Sequence, residues 1–278
     1  MKKILVPTDF SSNSRAGVRF AIHWATQQKL ELVFVHVLNI LRITSWSDGY
    51  FAKYAAEEEK LCRTKFEKFI TAVYRQMKVN AGKQSYLIVH GISADITILD
   101  YCRKSKNIDY ICISTRGAGK FKKIFGTNTG NLITKSDVPV LAIPQNYKVT
   151  GVKRVLYATD LRNYPHEIKK VVAFAQPLKT TIEAVHFVWP EELLFNKKII
   201  ESALKKQFKY GLKLHLEKNG GSHSLIENME KQIKTRKPSV VIMFTNQQRT
   251  FFEKLFLSSR AEELCFNVKV PLLVFNKS

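Results

Sequence analysis

The chain has 278 residues, is 45% apolar and carries a formal charge of +22, a balance that suits one or two soluble globular domains with a sizeable core. No apolar run approaches the ~20 residues that a bilayer-spanning helix needs, which excludes a helical membrane span. The basic excess is spread evenly, 23 Lys/Arg against 11 Asp/Glu in residues 1–148 and 22 against 12 in the rest; with no basic tail, reading helix or aromatic-basic RNA motif, it reads as a solvated surface without specific nucleic-acid recognition.

The opening run Lys3–Val6 meets Pro7 and Asp9 too soon to be a signal-peptide core, and it reads as a first strand. Phe20, Ala21, Trp24 and Ala25 share one helical face after it. A second strand is expected at Leu32–Val37, then a helix carrying Phe66, Phe69, Ile70, Val73 and Met77 on one face. A third strand follows at Ser85–Val89, and a helix carrying Ile96, Leu99 and Tyr101 after a cap at Ser93. Tyr110–Ile113 is the fourth strand. It feeds Ser114-Thr115-Arg116-Gly117-Ala118-Gly119-Lys120, a glycine-rich turn that runs to Gly126-Thr127-Asn128-Thr129 before helical spacing resumes at Leu132 and Ile133. Val138–Ile143 closes the unit. Short, continuous apolar strands alternating with helices predict a doubly wound α/β sheet with five parallel strands.

The pattern then repeats. Lys2–Phe10 returns as Lys153–Leu161, Val33–Val37 as Ala184–Phe187, Phe121–Phe125 as Phe252–Phe256, and Val138–Ile143 as Val270–Phe275. Four matches in one order mean internal duplication. The domains are expected at 1–148 and 149–278, joined by a short segment that lacks linker composition. Cys62, Cys102, Cys112 and Cys265 have no metal-ligand spacing and form no CxxC; they read as buried or free thiols in a reducing compartment.

In a doubly wound sheet, ligands bind at the carboxyl ends of the strands, where chain order reverses. Three such ends in the first unit are chemically suggestive. Thr8-Asp9 ends the first strand, where the carboxylate serves either as an acceptor for a ribose or adenine group or as a turn residue. Val35-His36-Val37 ends the second. Its histidine reads as structural, because His186 repeats it in the second unit. The glycine turn ends the fourth, and a turn of this kind opening a helix offers unpaired N–H groups to an anion.

Together, Ile4–Ser11, Val35–Val37, the glycine turn and Val138–Leu141 resemble the universal stress protein family in its tandem two-domain form, over the whole chain. The resemblance implies two Rossmann-like domains paired as a pseudo-dimer. It also implies an adenine nucleotide, ATP with or without Mg2+, held in the first domain. By that resemblance Asp9 contacts the ribose or adenine with Thr8 beside it, and Val37 brackets the base. Gly117, Gly126, Thr127, Asn128 and Thr129 cradle the phosphates. Two departures stand out. Ser114 takes the place of the family's first loop glycine, and the spacing from Gly117 to Gly126 is one residue short of the family's G-x2-G-x9-G-[ST]. In the second unit Gln248 and Leu257 stand opposite Gly117 and Gly126, and residues 222–278 contain no glycine, which suggests a half without nucleotide.

The expected function is therefore that of a cytoplasmic stress-response protein whose nucleotide biases conformation or assembly. No dedicated catalytic constellation is visible, although slow ATP hydrolysis remains compatible with the sequence. The alternative is a scaffold in which both sites are degenerate. The apolar closing strands suggest that the two halves pair with each other, and a homodimer is compatible with the same edges.

Overall fold

The computed structural model describes residues 1–115, 127–148, 150–161, 164–188, 197–208, 210–218, 225–245 and 270–276. The chain forms two compact units, Met1–Val149 and Thr150–Ser278.

The first unit runs β1 (Lys2–Pro7), α1 (Arg15–Gln27), β2 (Leu30–Leu38), α2 (Asp48–Met77), β3 (Gln84–His90), α3 (Ala94–Ser105), β4 (Tyr110–Ser114), α4 (Thr127–Lys135) and β5 (Val140–Ile143). Its strands are parallel and ordered β3-β2-β1-β4-β5. Chain order therefore reverses between β1 and β4. Ile4, Leu5 and Val6 of β1 have no exposed surface, as a strand covered on both faces requires. Burying each such side chain contributes about 1.5–3 kcal/mol. Helices α1 and α2 pack beside one another, as do α3 and α4.

Two helices differ from the sequence reading. The helix expected around Phe66–Met77 begins at Asp48, because Ser47 caps it by accepting the Tyr50 N–H at 3.3 Å. Its first turns are largely exposed and carry a short apolar stripe, Tyr50, Phe51, Tyr54 and Ala55, that the charged run Glu57–Lys60 separates from Phe66. On α3 the buried residues are Asp95, Ile98, Leu99 and Cys102, whereas Ile96 is 57% exposed. The buried face is thus rotated from the Ile96–Leu99–Tyr101 stripe. Ser93 does sit at the N-cap position, but its hydroxyl donates to Asp95 and does not accept a helix N–H.

The second unit repeats the order: β6 (Arg154–Ala158), α5 (Tyr164–Ala175), a 3-10 turn (Gln176–Leu178), β7 (Thr181–Val188), α6 (Lys197–Phe208), β8 (Leu212–Lys218), α7 (Leu225–Arg236), β9 (Val240–Thr245) and β10 (Leu272–Asn276). Its parallel order is β8-β7-β6-β9-β10. Cys62, Cys102 and Cys112 are buried free thiols, and burial pushes the Cys102 thiol up to about 11; Cys265 lies outside the described residues.

One contact sets how closely α1 approaches β4. A Cβ on Gly17 would stand 2.8 Å from the Ser114 nitrogen, so only glycine permits this approach. The Gly17 N–H belongs to the first turn of α1, where the helix offers no acceptor. It donates instead to Ser114 Oγ at 2.8 Å, and that hydroxyl donates on to Ser14 O at 3.1 Å. Replacing Ser114 by Ala is expected to leave the Gly17 N–H buried and unbonded at a cost of about 1–3 kcal/mol. Urea unfolding of Ser114→Ala against the parent chain measures this directly.

Candidate functional site

Each unit has a self-contained turn at the end of its first strand. In the first, Thr8 continues the β1–β2 ladder by donating its N–H to Val35 O at 2.9 Å. Its hydroxyl accepts the Phe10 N–H at 3.1 Å. Phe10 takes a left-handed φ of 61°, a conformation that a non-glycine residue holds only with support. His36 supplies that support. Its Nδ1 lies 2.8 Å from Thr8 O, and since a carbonyl only accepts, the proton sits on Nδ1. The His36 ring also stacks on Phe10, with centroids 4.2 Å apart. The second unit copies the arrangement: Thr159 N–H to Val185 O at 3.0 Å, Leu161 N–H to Thr159 Oγ1 at 3.0 Å, His186 Nδ1 to Thr159 O at 3.0 Å, and a φ of 59° at Leu161. Both histidines are structural.

Beyond this shared turn the two units diverge. In the first, a relay of polar groups joins the ends of β1 and β4. Asp9 Oδ1 accepts the Ser11 N–H at 3.0 Å and the Ser11 hydroxyl at 2.6 Å. Ser11 Oγ accepts the Ser14 N–H at 3.1 Å. The Ser14 hydroxyl donates to Ser11 O and lies 2.9 Å from Thr8 Oγ1. Ser114 links Ser14 to β4, and Thr129 Oγ1 donates to Ser114 O at 3.0 Å. The residues expected in the site are thus spread over β1, β2 and α4. Thr8 is buried and Asp9 exposed at the end of β1. Val37 is half-buried at the end of β2. Asn128 is exposed and Thr129 buried in the first turn of α4. Thr127 begins that helix. Gly117 and Gly126 lie outside the described residues, as do Arg116, Lys120 and Lys122.

The Ser114 side chain is therefore turned into the fold, against α1, and the Thr129 hydroxyl is spent on Ser114 O. The Thr129 backbone N–H belongs to the first turn of α4, where the helix itself supplies no acceptor.

In the second unit aromatic residues take the matching positions. Ser114 pairs in register with Ile143; at the corresponding places Phe244 pairs with Phe275. The two rings stack with centroids 5.0 Å apart, and Tyr157, where the first unit has Val6, packs on Phe244 at 5.8 Å. The Tyr157 hydroxyl bonds to buried Glu167 and to Thr159 Oγ1. Burial first, and the Glu167 carboxylate next, push this phenol well above its ordinary value. Pro165 and Ile168 stand at the places of Ser14 and Gly17, and Ile168 is buried. Among the described residues, the ends of β1 and β4 are lined by bonded hydroxyls and the Asp9 carboxylate, and the corresponding ends of β6 and β9 by packed aromatic rings.

Two residues that carry no signal in the sequence pattern hold α4. Asp95 is 4% exposed; it accepts the Ser93 hydroxyl and, at 2.6 Å, the Asn131 side-chain amide. Burial alone would raise its pKa, but the bonds from Ser93, Asn131 and the backbone N–H groups of Ile96 and Asp95 outweigh it and hold the carboxyl below its ordinary value. The one hint in the chain is an acid two residues after a helix cap.

A cavity of about 420 Å³ opens at the ends of β2 and β3 between Leu38, Ile40, Phe51 and Ile92. It lies on the side of β2 away from the β1–β4 reversal. Among the described residues, no group of three His, Cys, Asp or Glu side chains is placed to hold a metal ion, and no helix is long and apolar enough to cross a membrane.

The sequence profile of the universal stress protein family matches residues 1–144. No curated protein matches the chain at a significant level. Among solved structures, a universal stress protein from Archaeoglobus fulgidus DSM 4304 is 16% identical, with 99% of this chain and 98% of that one covered and a TM-score of 0.71. A functionally unknown protein from Pseudomonas aeruginosa PAO1 is also 16% identical, with coverages of 99% and 92% and a TM-score of 0.56. At these identities the likeness shows the fold alone.

The Asp95 bonds have a pH signature. A carboxyl with a depressed folded pKa stabilises fully above its unfolded value of ~3.9 and loses that contribution as pH falls through the folded value. Asp95→Asn is therefore expected to lower stability at pH 6–7, with the deficit shrinking below about pH 4. Urea unfolding of both proteins across pH 3–7 checks the sign.

Proposed function

Because the chain belongs to the universal stress protein family, we propose that its first unit binds ATP or a related adenine nucleotide. In this reading the nucleotide is a regulatory ligand in the stress response of the cytoplasm, and the second unit does not bind it. The carrying observation is the contrast at matching positions of the two units. The first unit has the Asp9–Ser11–Ser14–Ser114–Thr129 relay leading to the first turn of α4. The second has Phe244 stacked on Phe275.

In this proposal Asp9, exposed at the end of β1, bonds the ribose or adenine, and Val37 lies against the base. The backbone of Gly117, Gly126, Thr127, Asn128 and Thr129 receives the phosphates, where N–H groups and the helix dipole favour negative charge. Nucleotide then biases conformation or assembly and is not turned over rapidly. That accords with a described strand end whose hydroxyls are bonded to one another and whose histidine is committed to Thr8 O. The proposal includes pairing of the two halves through their apolar closing strands, an inference that rests on the sequence and on the cost of an unpaired edge.

Three calorimetric titrations with ATP test the site. Gly126→Leu, which copies Leu257 of the second unit, is expected to abolish binding without unfolding the protein, because a side chain blocks the close backbone approach. Asp9→Ala is expected to weaken binding by about 1–3 kcal/mol, and Asp160→Ala to leave it unchanged. Equal losses from the two aspartates would assign both to the shared turn. A parent protein that binds no adenine nucleotide, either as purified or on titration, would favour the scaffold reading. The pairing has its own test: residues 1–148 expressed alone are expected to self-associate in analytical ultracentrifugation, and a stable monomer would count against it.

A further inference from the structure

We infer that Asp95 is a positioning residue for nucleotide phosphate, acting through Asn131 on the first turn of α4; the inference rests on the nucleotide reading above. Helix α4 opens with Thr127-Asn128-Thr129-Gly130-Asn131. β-Branched residues, asparagine and glycine are all weak helix formers, and a Cβ on Gly130 would meet nothing within 4 Å, so packing does not demand the glycine. Left to local propensity, this turn would fray. Two bonds from outside the helix hold it. Thr129 Oγ1 donates to Ser114 O at 3.0 Å on the β4 side, and Asn131 Nδ2 donates to Asp95 Oδ2 at 2.6 Å on the α3 side.

The second bond is costly to build. Asp95 is 4% exposed, and a buried carboxylate is tolerated only when its oxygens are bonded. No cation faces it in a described ion pair. Its partners are the Ser93 hydroxyl, the Asn131 amide and backbone N–H groups at the start of α3. Capping α3 alone would not need burial or a reach of 36 residues along the chain to Asn131. Residue 127 lies one turn before Asn131 on the same helix face, so the bond fixes the rotation and height of the N–H groups that open α4. Those groups, not the base contacts, depend on Asp95.

That division sets the test. ATP and adenosine are titrated into the full-length protein, Asp95→Ala, Asn131→Ala and the exchanged pair Asp95→Asn/Asn131→Asp, with amide hydrogen exchange followed at residues 127–131. The expected result is at least a tenfold loss of ATP affinity in each alanine variant, adenosine affinity unchanged, and faster exchange in that turn. The exchanged pair is expected to recover ATP affinity to within threefold of the parent. Equal losses for ATP and adenosine would reduce Asp95 to a general stabiliser and overturn the inference, as would unchanged ATP affinity. Should Asp95→Ala not fold, Asn131→Ala carries the same expectation, since it leaves Asp95 its Ser93 and backbone bonds. A parent protein that binds neither ligand sinks the nucleotide reading itself, and this inference with it. Binding by the parent with an unmoved ATP-to-adenosine ratio in the variants sinks this inference alone.

Discussion

The strand-end architecture of the first unit depends on how near α1 comes to β4. Gly17 makes that approach possible, and the Ser114 hydroxyl makes it favourable by taking the Gly17 N–H and returning a proton to Ser14 O. A carbon at the Gly17 Cβ position would push the helix outward and break both bonds. Ser14 would then lose its tie to β4, and the connection from Asp9 to Thr129 would be cut in the middle. The serine that departs from the family's loop pattern is thus part of the frame that joins α1, β4 and α4.

The two units separate what recurs in both copies from what belongs to one. Thr8, Phe10 and His36 recur as Thr159, Leu161 and His186 with nearly the same distances and the same left-handed residue. A turn preserved where the neighbouring space is filled by aromatic rings serves the sheet. The groups that do not recur are Ser14, Gly17 and Ser114, replaced by Pro165, Ile168 and Phe244. They distinguish a polar strand edge from a closed one.

The fold was legible because strands such as Ile4–Val6 are buried on both faces and therefore read as unbroken apolar runs. The start of α2 was not, since its short stripe of Tyr50, Phe51, Tyr54 and Ala55 is cut off from Phe66 by the charged run Glu57–Lys60, and Ile96 misled because an apolar residue on α3 faces water while Asp95 turns inward. For the site, the Thr8-Asp9 end was legible through its repeat, which on its own speaks equally for a structural turn. The Ser14–Ser114 bond spans 100 residues and the Asp95–Asn131 bond 36; sequence spacing carries no trace of either. Ser114 stood out in the sequence as a missing glycine. Its hydroxyl's destination is a fact of three dimensions.

The aromatic plug of the second unit also bears on the history of such a duplication. Phe244 and Phe275 hold each other, Tyr157 leans on Phe244, and its hydroxyl is tied to Glu167. Each replacement removes a reason to reverse the others. Restoring a serine at Phe244 would leave Phe275 and Tyr157 facing a void, and deleting a buried ring costs about 3–5 kcal/mol, a large share of the stability of a typical domain. A packed aromatic cluster of this kind therefore resists exchange for polar residues one position at a time.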